Sequence, residues 1–324
     1  MTTPRTDRTA NEAASDLSLS APQVTVAICT RNRAAFLEKA VQSVLRQITD
    51  DTEILIVDNA STDETPEVAS RLANANPGVA LYRENELGLS AARNAALVRA
   101  RGQYVIFLDD DAQAEPGWLE SYRRFLISPS AGRIAVLGGP VFPDYEVAPP
   151  KWLGAGANQL DLGGTPKRVS ALGGPWGGNS AYRRDAALQA GMFDTRLGRK
   201  GSSLAAHEES DLNLRLLNAG YEIWWLPGAG IRHFVPASRL SFRWVGRFVF
   251  SEGRSAAIMR RGSFNGRARR ALFRSARLLA APFQIAICLL AAVVMLPRRH
   301  RRATAGYLLR ASRIAGFAWG LLAG

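Results

Sequence analysis

Three adjacent carboxylates, Asp109, Asp110 and Asp111, close an apolar run in the stretch GQYVIFLDDDAQAEPGWL. Like charges crowded at the end of a buried strand repel one another and are costly to desolvate. Either they form a solvated turn that caps the next helix, or they hold a divalent cation and the anionic ligand it carries. Mg²⁺ and Mn²⁺ take oxygen ligands and keep water and substrate phosphates in their shell. Asp109 and Asp111 are one residue apart, so in an extended segment both side chains point the same way and can share one ion. Asp58 ends another apolar run, in VDNASTDET. Its carboxylate could accept from a base or ribose, while Asn59, Ser61, Thr62 and Asp63 suit turns and helix caps. HEESD crowds Glu208, Glu209 and Asp211 at a helix start, where the dipole favours carboxylates. Capping accounts for Asp211. The adjacent glutamates also raise each other's pKa towards a value useful in a general base. His233 is either structural or a neutral nitrogen ligand for the same cation.

These residues need elements to carry them. Strand-like runs at 24–30, 53–58, 79–84 and 104–109 alternate with helical periodicity at 34–48, 65–74 and 90–100. That alternation predicts βαβ units and a mostly parallel sheet with helices on both faces. Ligands in such sheets gather beyond the carboxyl ends of the strands, where TRNR, DNASTDE and DDD fall. The Gly- and Pro-rich stretch 138–178 is long for a connection and reads as binding loops. A helix at 209–218, stopped by Gly220, and a strand at 222–226 follow.

The chain has 324 residues and a net charge of +13. From Arg239 onward it holds 17 arginines, no lysine and one acid, Glu252, whereas residues 1–238 hold 24 basic and 27 acidic groups. The body is slightly acidic and the tail intensely basic. A basic tail suits nucleic acid or an anionic membrane. Residues 278–296 are uncharged and span close to a ~30 Å hydrocarbon core at ~1.5 Å per residue. Nucleic acid needs no such segment, so the reading is an anionic membrane surface and no nucleic acid. Arginines flank the segment on both sides, so charge gives no orientation. Residues 304–324 read as an amphipathic interfacial helix. Residues 1–20 are polar, lack the apolar core of a secretory signal, and read as a disordered tail. Two distant cysteines, Cys29 and Cys288, suggest no disulfide framework and a reducing compartment.

Taken in order, VAICTRNR, ILIVDNASTDET, ENELGLSAARNAAL, FLDDDA, GGNSAYRR, HEESDLNLRLLNAGY and PGAGIRHFVPASR resemble the inverting family 2 glycosyltransferases. The resemblance implies an α/β GT-A fold: a Rossmann-like, mostly parallel sheet at 21–240, divided into a nucleotide-binding half (21–111) and an acceptor half (112–240). A basic, helical, membrane-associated region at 241–324 would follow. It implies a metal-dependent transfer of sugar from a nucleotide-diphosphate sugar to a hydroxyl of a glycan or lipid-linked acceptor, in cell-surface polysaccharide or glycolipid synthesis. The expected location is the cytoplasmic face of the membrane. Thr30, Arg31, Asn32, Asp58, Arg93, Asp109 and Asp110 would bind the donor nucleotide. Asp109 and Asp111, with His233, would hold Mg²⁺ or Mn²⁺. Gly177, Gly178, Asn179 and Asp211 would face sugar and acceptor.

One departure stands out. The family usually reads Glu-Asp where this chain has Glu208-Glu209, so the base would be Glu209, with Glu208 beside it as a second candidate. Two other readings stay open. The Glu-Glu pair would also suit a non-catalytic, nucleotide-binding partner of a membrane polysaccharide complex. A sugar nucleotidyltransferase would share a similar sheet, but CTRNRAAF lacks the glycines of a triphosphate loop.

Overall fold

The computed structural model describes residues 23–126, 132–154, 156–262, 266–295 and 300–323. The expected tail 1–20, and Leu296, Arg298 and Arg299 beside the apolar segment, lie outside these residues. The first half alternates as the periodicity requires: β1 (Val24–Thr30), α1 (Ala34–Leu45), β2 (Thr52–Asp58), α2 (Thr65–Ala75), β3 (Val79–Arg83), α3 (Leu89–Arg99) and β4 (Tyr104–Leu108). Then come β5 (Ala112–Ala114), α4 (Trp118–Leu126), β6 (Ile134–Gly138), β7 (Val141–Tyr145), β8 (Lys167–Arg168), β9 (Asn179–Arg183), α5 (Arg184–Gln189), α6 (Glu208–Asn218), β10 (Glu222–Trp225) and β11 (Ile231–Val235). Three long helices close the chain: α7 (Phe242–Gly262), α8 (Arg267–Met295) and α9 (Arg301–Leu322).

The main sheet runs β3-β2-β1-β4-β9-β6-β10-β8. β3, β2, β1 and β4 are mutually parallel, while β9 is antiparallel to both β4 and β6. The sheet is therefore mixed but mostly parallel. Its central strands are near-continuous apolar runs because both faces are covered. Alternate residues serve opposite faces. Val24, Val26 and Ile28 pack with Leu37, Val41, Val44 and Leu72 of α1 and α2. Ala27, Leu55 and Val57 pack with Ala92, Ala96 and Leu97 of α3 and Leu212 and Leu216 of α6. Burying a side chain such as Leu37 or Val41 contributes roughly 1.5–3 kcal/mol, which anchors the helices that carry site residues.

Register places the polar ends together. Thr30 lies opposite Asp58, and Asp58 opposite Arg83. A second sheet, β5-β11-β7, sits against them. There His233 is paired with Ala112, immediately after the aspartates.

Among the C-terminal helices, α7 and α9 meet through small residues. Gly253 lies against the Arg313 carbonyl, Gly316 against that of Phe250 and Gly320 against that of Arg254, with no room for a Cβ. The expected interfacial helix at 304–324 falls on α9, which packs against α7 in this way. One face of α9, with Ala305, Ala311, Gly316 and Leu321, is spent on packing inside the protein. The apolar segment behaves otherwise. In α8, Leu279, Phe283, Ile287, Leu290 and Val293 are exposed, and only 17% of its apolar window is buried. α8 is long and apolar enough to cross a membrane by length and composition. Cys29 and Cys288 are both free thiols.

Candidate active site

The site opens beyond the carboxyl ends of β1, β2 and β4. The aspartates do not continue β4 as an extended segment. The Ala112 amide donates to the Asp109 carbonyl (3.0 Å), and the chain turns there into β5. It does not run on into a helix for the aspartates to cap. The turn gives each carboxylate its own partner. Asp109 Oδ1 lies 3.4 Å from Arg93 Nη2. Asp110 Oδ2 accepts from Thr30 Oγ1 at 2.7 Å. Asp111 Oδ1 lies 3.1 Å from His233 Nε2, and its Oδ2 lies 3.4 Å from Arg33 Nη1 and 3.5 Å from Arg239 Nη2.

Charge sorts the three. Burial pushes Asp111 up, but the hydrogen bond and charge of His233, with Arg239 and Arg33, outweigh it and hold the group well below the carboxylate range. Burial and the neighbouring Asp111 push Asp110 up to about 7. Burial lowers the His233 pKa, yet Asp111 wins and raises it. One ligand atom each from Asp109, Asp111 and His233 falls within a 4.8 Å span. Two hard carboxylate oxygens and one imidazole nitrogen fit a divalent first-row ion.

The neighbouring loops are tied by their own side chains. Asn32 donates its amide N–H to Ser61 Oγ (3.0 Å), and its side chain exchanges hydrogen bonds with Thr62. Asn32 therefore fastens the loop after β1 to the loop after β2. Asp58 is 2% exposed. Its Oδ1 accepts from the Ser61 amide, while its Oδ2 is buried with no hydrogen-bond partner. Arg31 Nε is likewise buried and unpartnered. Asp58 Oδ2 faces Arg83 Nε at 3.9 Å, beyond hydrogen-bond distance, so an unfilled acceptor and an unfilled donor at these strand ends suit a polar ligand edge.

Arg93, buried on α3, joins the two halves. Its Nη1 lies 2.7 Å from Glu208 Oε1, and its Nη2 reaches Asp109. A Cβ at Gly177 would strike the Arg93 guanidinium, and one at Gly178 would strike the Asp109 carboxylate. These two glycines are what allow the loop before β9 to close over that bridge. Glu208 is thus committed to Arg93. Glu209 makes no ion pair among the described residues, and burial with Glu208 alongside pushes it up to about 8 against the pull of the Arg93 charge.

Two expected sugar-facing residues do other work. Asn179 is fully buried: its Oδ1 accepts from Trp118 Nε1 (2.8 Å) and Tyr122, and its Nδ2 donates to the Pro140 and Ala229 carbonyls. It joins four segments of the core and has no hydrogen-bonding capacity left for a sugar. Asp211 is paired with Arg215, one turn on, which also donates to the Ala190 and Met192 carbonyls. It fixes α6 against the loop after α5.

Some contacts were not legible as functional. Arg33 and Arg239 approach Asp111, although they were only letters in TRNR and PASR. His207, in the left-handed conformation at φ 72°, precedes Glu208 and lies 3.9 Å from Glu252 on α7. Ala206 donates its N–H to Ser255 Oγ on the same helix (3.1 Å). No short-range pattern links α7 to the start of α6.

Known proteins fit this geometry. A family model described as glycosyl transferase family 2 matches residues 25–189. The glucosyl-dolichyl phosphate glucuronosyltransferase of Haloferax volcanii is 26% identical, over 73% of this chain and 77% of its own length. The succinoglycan biosynthesis protein ExoM of Rhizobium meliloti is 27% identical, over 92% of this chain and 93% of its own. Among solved structures, the mannosyltransferase PcManGT from Pyrobaculum calidifontis, in complex with GDP-Man and Mn2+, superposes with a TM-score of 0.60. It shares 21% identity and covers 92% of this chain and 87% of its own, a likeness of fold.

Proposed function

The chain belongs to glycosyl transferase family 2, and on that premise we propose a metal-dependent, inverting transfer of a sugar from a nucleoside-diphosphate sugar to an acceptor hydroxyl. Asp58 and Arg31 hold the base through their unpartnered buried atoms, with Thr30 and Asn32 shaping the loop. Asp109, Asp111 and His233 hold a divalent cation, Mn²⁺ in preference to Mg²⁺ because one donor is an imidazole. When bound, that cation offsets the charge developing on the departing diphosphate. Glu209 takes the proton of the acceptor hydroxyl. Its raised pKa makes the carboxylate a stronger base. The hydroxyl displaces the diphosphate from the opposite face, so configuration inverts and no covalent enzyme intermediate forms. Arg93 positions both sides of the reaction. Gly177 and Gly178 keep the loop close, while Asn179 and Asp211 support the scaffold.

The observation that carries this reading is Arg93 bridging Asp109, on the donor side, to Glu208, next to the base. It sets the proton acceptor beside the diphosphate site. The acceptor is a glycan or a lipid-linked sugar, reached at the cytoplasmic membrane face, with α8 as the anchor. The exposed apolar face of α8 supports the membrane association.

The test is a panel of UDP-, GDP- and dTDP-sugars with Mn²⁺, followed by release of the nucleoside diphosphate. One donor should be turned over, and Glu209→Gln should lower turnover by about 10²–10⁴-fold without weakening nucleotide binding. Full turnover by Glu209→Gln would remove it as the base. Metal-independent binding of every nucleotide would remove the cation site.

A further inference from the structure

Between the loop before α6 and the helices α7 and α9 lies a cavity of ≈ 680 Å³. Lys200 from the loop and Arg243, Arg247 and Arg254 from α7 line it. The three arginines stand at i, i+4 and i+11, on one face of the helix. None of the four cations is ion-paired among the described residues. All four are exposed to solvent, and their clustering on one cavity is what sets them apart. Four unpaired positive groups around one cavity favour an anion there. Guanidinium forks match phosphate oxygens in pairs.

The other wall is apolar. Leu308 and Leu309 of α9 line it, and α9 packs against α8, whose apolar side is exposed. A ligand that fits both walls is anionic at one end and hydrocarbon at the other. Helix α7, which lines the cavity, also touches the loop that leads to the base. Ser255, the residue after Arg254, accepts from the Ala206 amide, three residues before Glu209.

We propose that this cavity binds the phosphate or diphosphate of a lipid-linked acceptor, with Lys200, Arg243, Arg247 and Arg254 as the anion site and the α9 leucines against the first part of the lipid chain. This rests on the glycosyltransferase reading for its role, though not for its binding chemistry. The site is separate from the Asp109–Asp111–His233 cluster, so it needs no metal.

The experiment uses the full chain in detergent micelles with EDTA present, which disables any cation-dependent diphosphate binding. Farnesyl diphosphate, farnesol and inorganic diphosphate are titrated, with intrinsic tryptophan fluorescence as the readout. Farnesyl diphosphate should bind at least about tenfold more tightly than either of the other two. The double substitution Arg247→Gln/Arg254→Gln should weaken it by about tenfold or more, while the Mn²⁺–nucleotide thermal shift stays unchanged. Equal binding of farnesol would mean an apolar groove only and would overturn the proposal. Equal binding of inorganic diphosphate would mean a soluble-anion site and would overturn the lipid assignment. Wild-type affinity in the double variant would also overturn it. If that variant does not fold, Arg243→Gln, at an exposed position, takes its place with the same expectations. Loss of the nucleotide shift in the wild type, with farnesyl diphosphate still bound as expected, would fault the donor-site reading and leave this site standing.

Discussion

At the scale of single residues, the two glutamates that the sequence could only list side by side have different surroundings. Glu208 is ion-paired with Arg93; Glu209 is not, and burial beside Glu208 pushes its pKa up to about 8 from the ordinary 4.5. Glu209→Gln should therefore lower kcat by about 10²–10⁴-fold, the usual contribution of a general base. The base works only when ionised, so kcat/KM of the free enzyme should rise with pH along a limb centred near 8. A flat profile from pH 6 to 9 would count against Glu209. Stability should run the other way. A carboxylate whose folded pKa is raised favours the fold when neutral, and that advantage fades as pH climbs from 4.5 through 8. Glu209→Gln should unfold at the same denaturant concentration as the wild type at pH 4 and at a higher one at pH 9. Asp111 is the converse case, held ionised by His233, Arg239 and Arg33. Asp111→Ala should abolish the Mn²⁺-dependent part of the nucleotide thermal shift. A shift that survives the substitution would mean the ion is held elsewhere.

At the scale of elements, the site depends on segments that approach more closely than side chains permit. Gly178→Ala would drive a methyl group into the Asp109 carboxylate at the start of β9. We expect a folded protein with Mn²⁺ affinity lowered at least about tenfold, about 1.4 kcal/mol, measured by Mn²⁺ titration of the nucleotide complex. Unchanged affinity would show that the loop simply yields. Asn179, one residue on, serves β4, β6, α4 and the turn before β11 together. Asn179→Leu leaves Trp118 Nε1 and the Ala229 carbonyl without a partner, while the Pro140 carbonyl keeps the Ile231 N–H. At roughly 1–3 kcal/mol for each unsatisfied buried group, the loss should reach several kcal/mol. A chemical-denaturation midpoint within error of the wild type would refute that. The α7–α9 contact follows the same logic, since Gly253, Gly316 and Gly320 let the two backbones touch.

At the scale of the whole molecule, an acidic catalytic body is joined to a basic, partly apolar helical end. That end is not an appendage. α7 holds the loop before the base through Ser255 and faces His207 through Glu252. α8 leaves Phe283 73% and Leu290 66% exposed. Such a surface needs a hydrocarbon environment or a partner. Phe283→Glu/Leu290→Glu should move the protein from the floating to the soluble fraction with anionic phospholipid vesicles. Flotation that persists would place the membrane contact on the arginines and not on the apolar face. Charge screening at high salt should then release the variant, while the wild type stays bound.

The alternation of β1 to β4 with α1 to α3 was written in local periodicity, because a strand buried on both faces and a helix buried on one leave different hydrophobic repeats. The clustering of Thr30, Asp58, Asp109 and Asp111 at one end followed from the parallel topology. The membrane-suited segment was plain from composition alone. What the sequence could not carry were pairings set by distant register. His233 meets Asp111 because β11 pairs with β5, Arg93 meets both Asp109 and Glu208 because α3 lies beneath the sheet end, and Asn179 turns inward because β9 runs between β4 and β6. Those contacts join residues tens to more than a hundred positions apart, and a one-residue change of register would break each of them. Local chemistry determined which residue types were available; tertiary packing decided which of them share a charge, which hold the fold and which remain free to react.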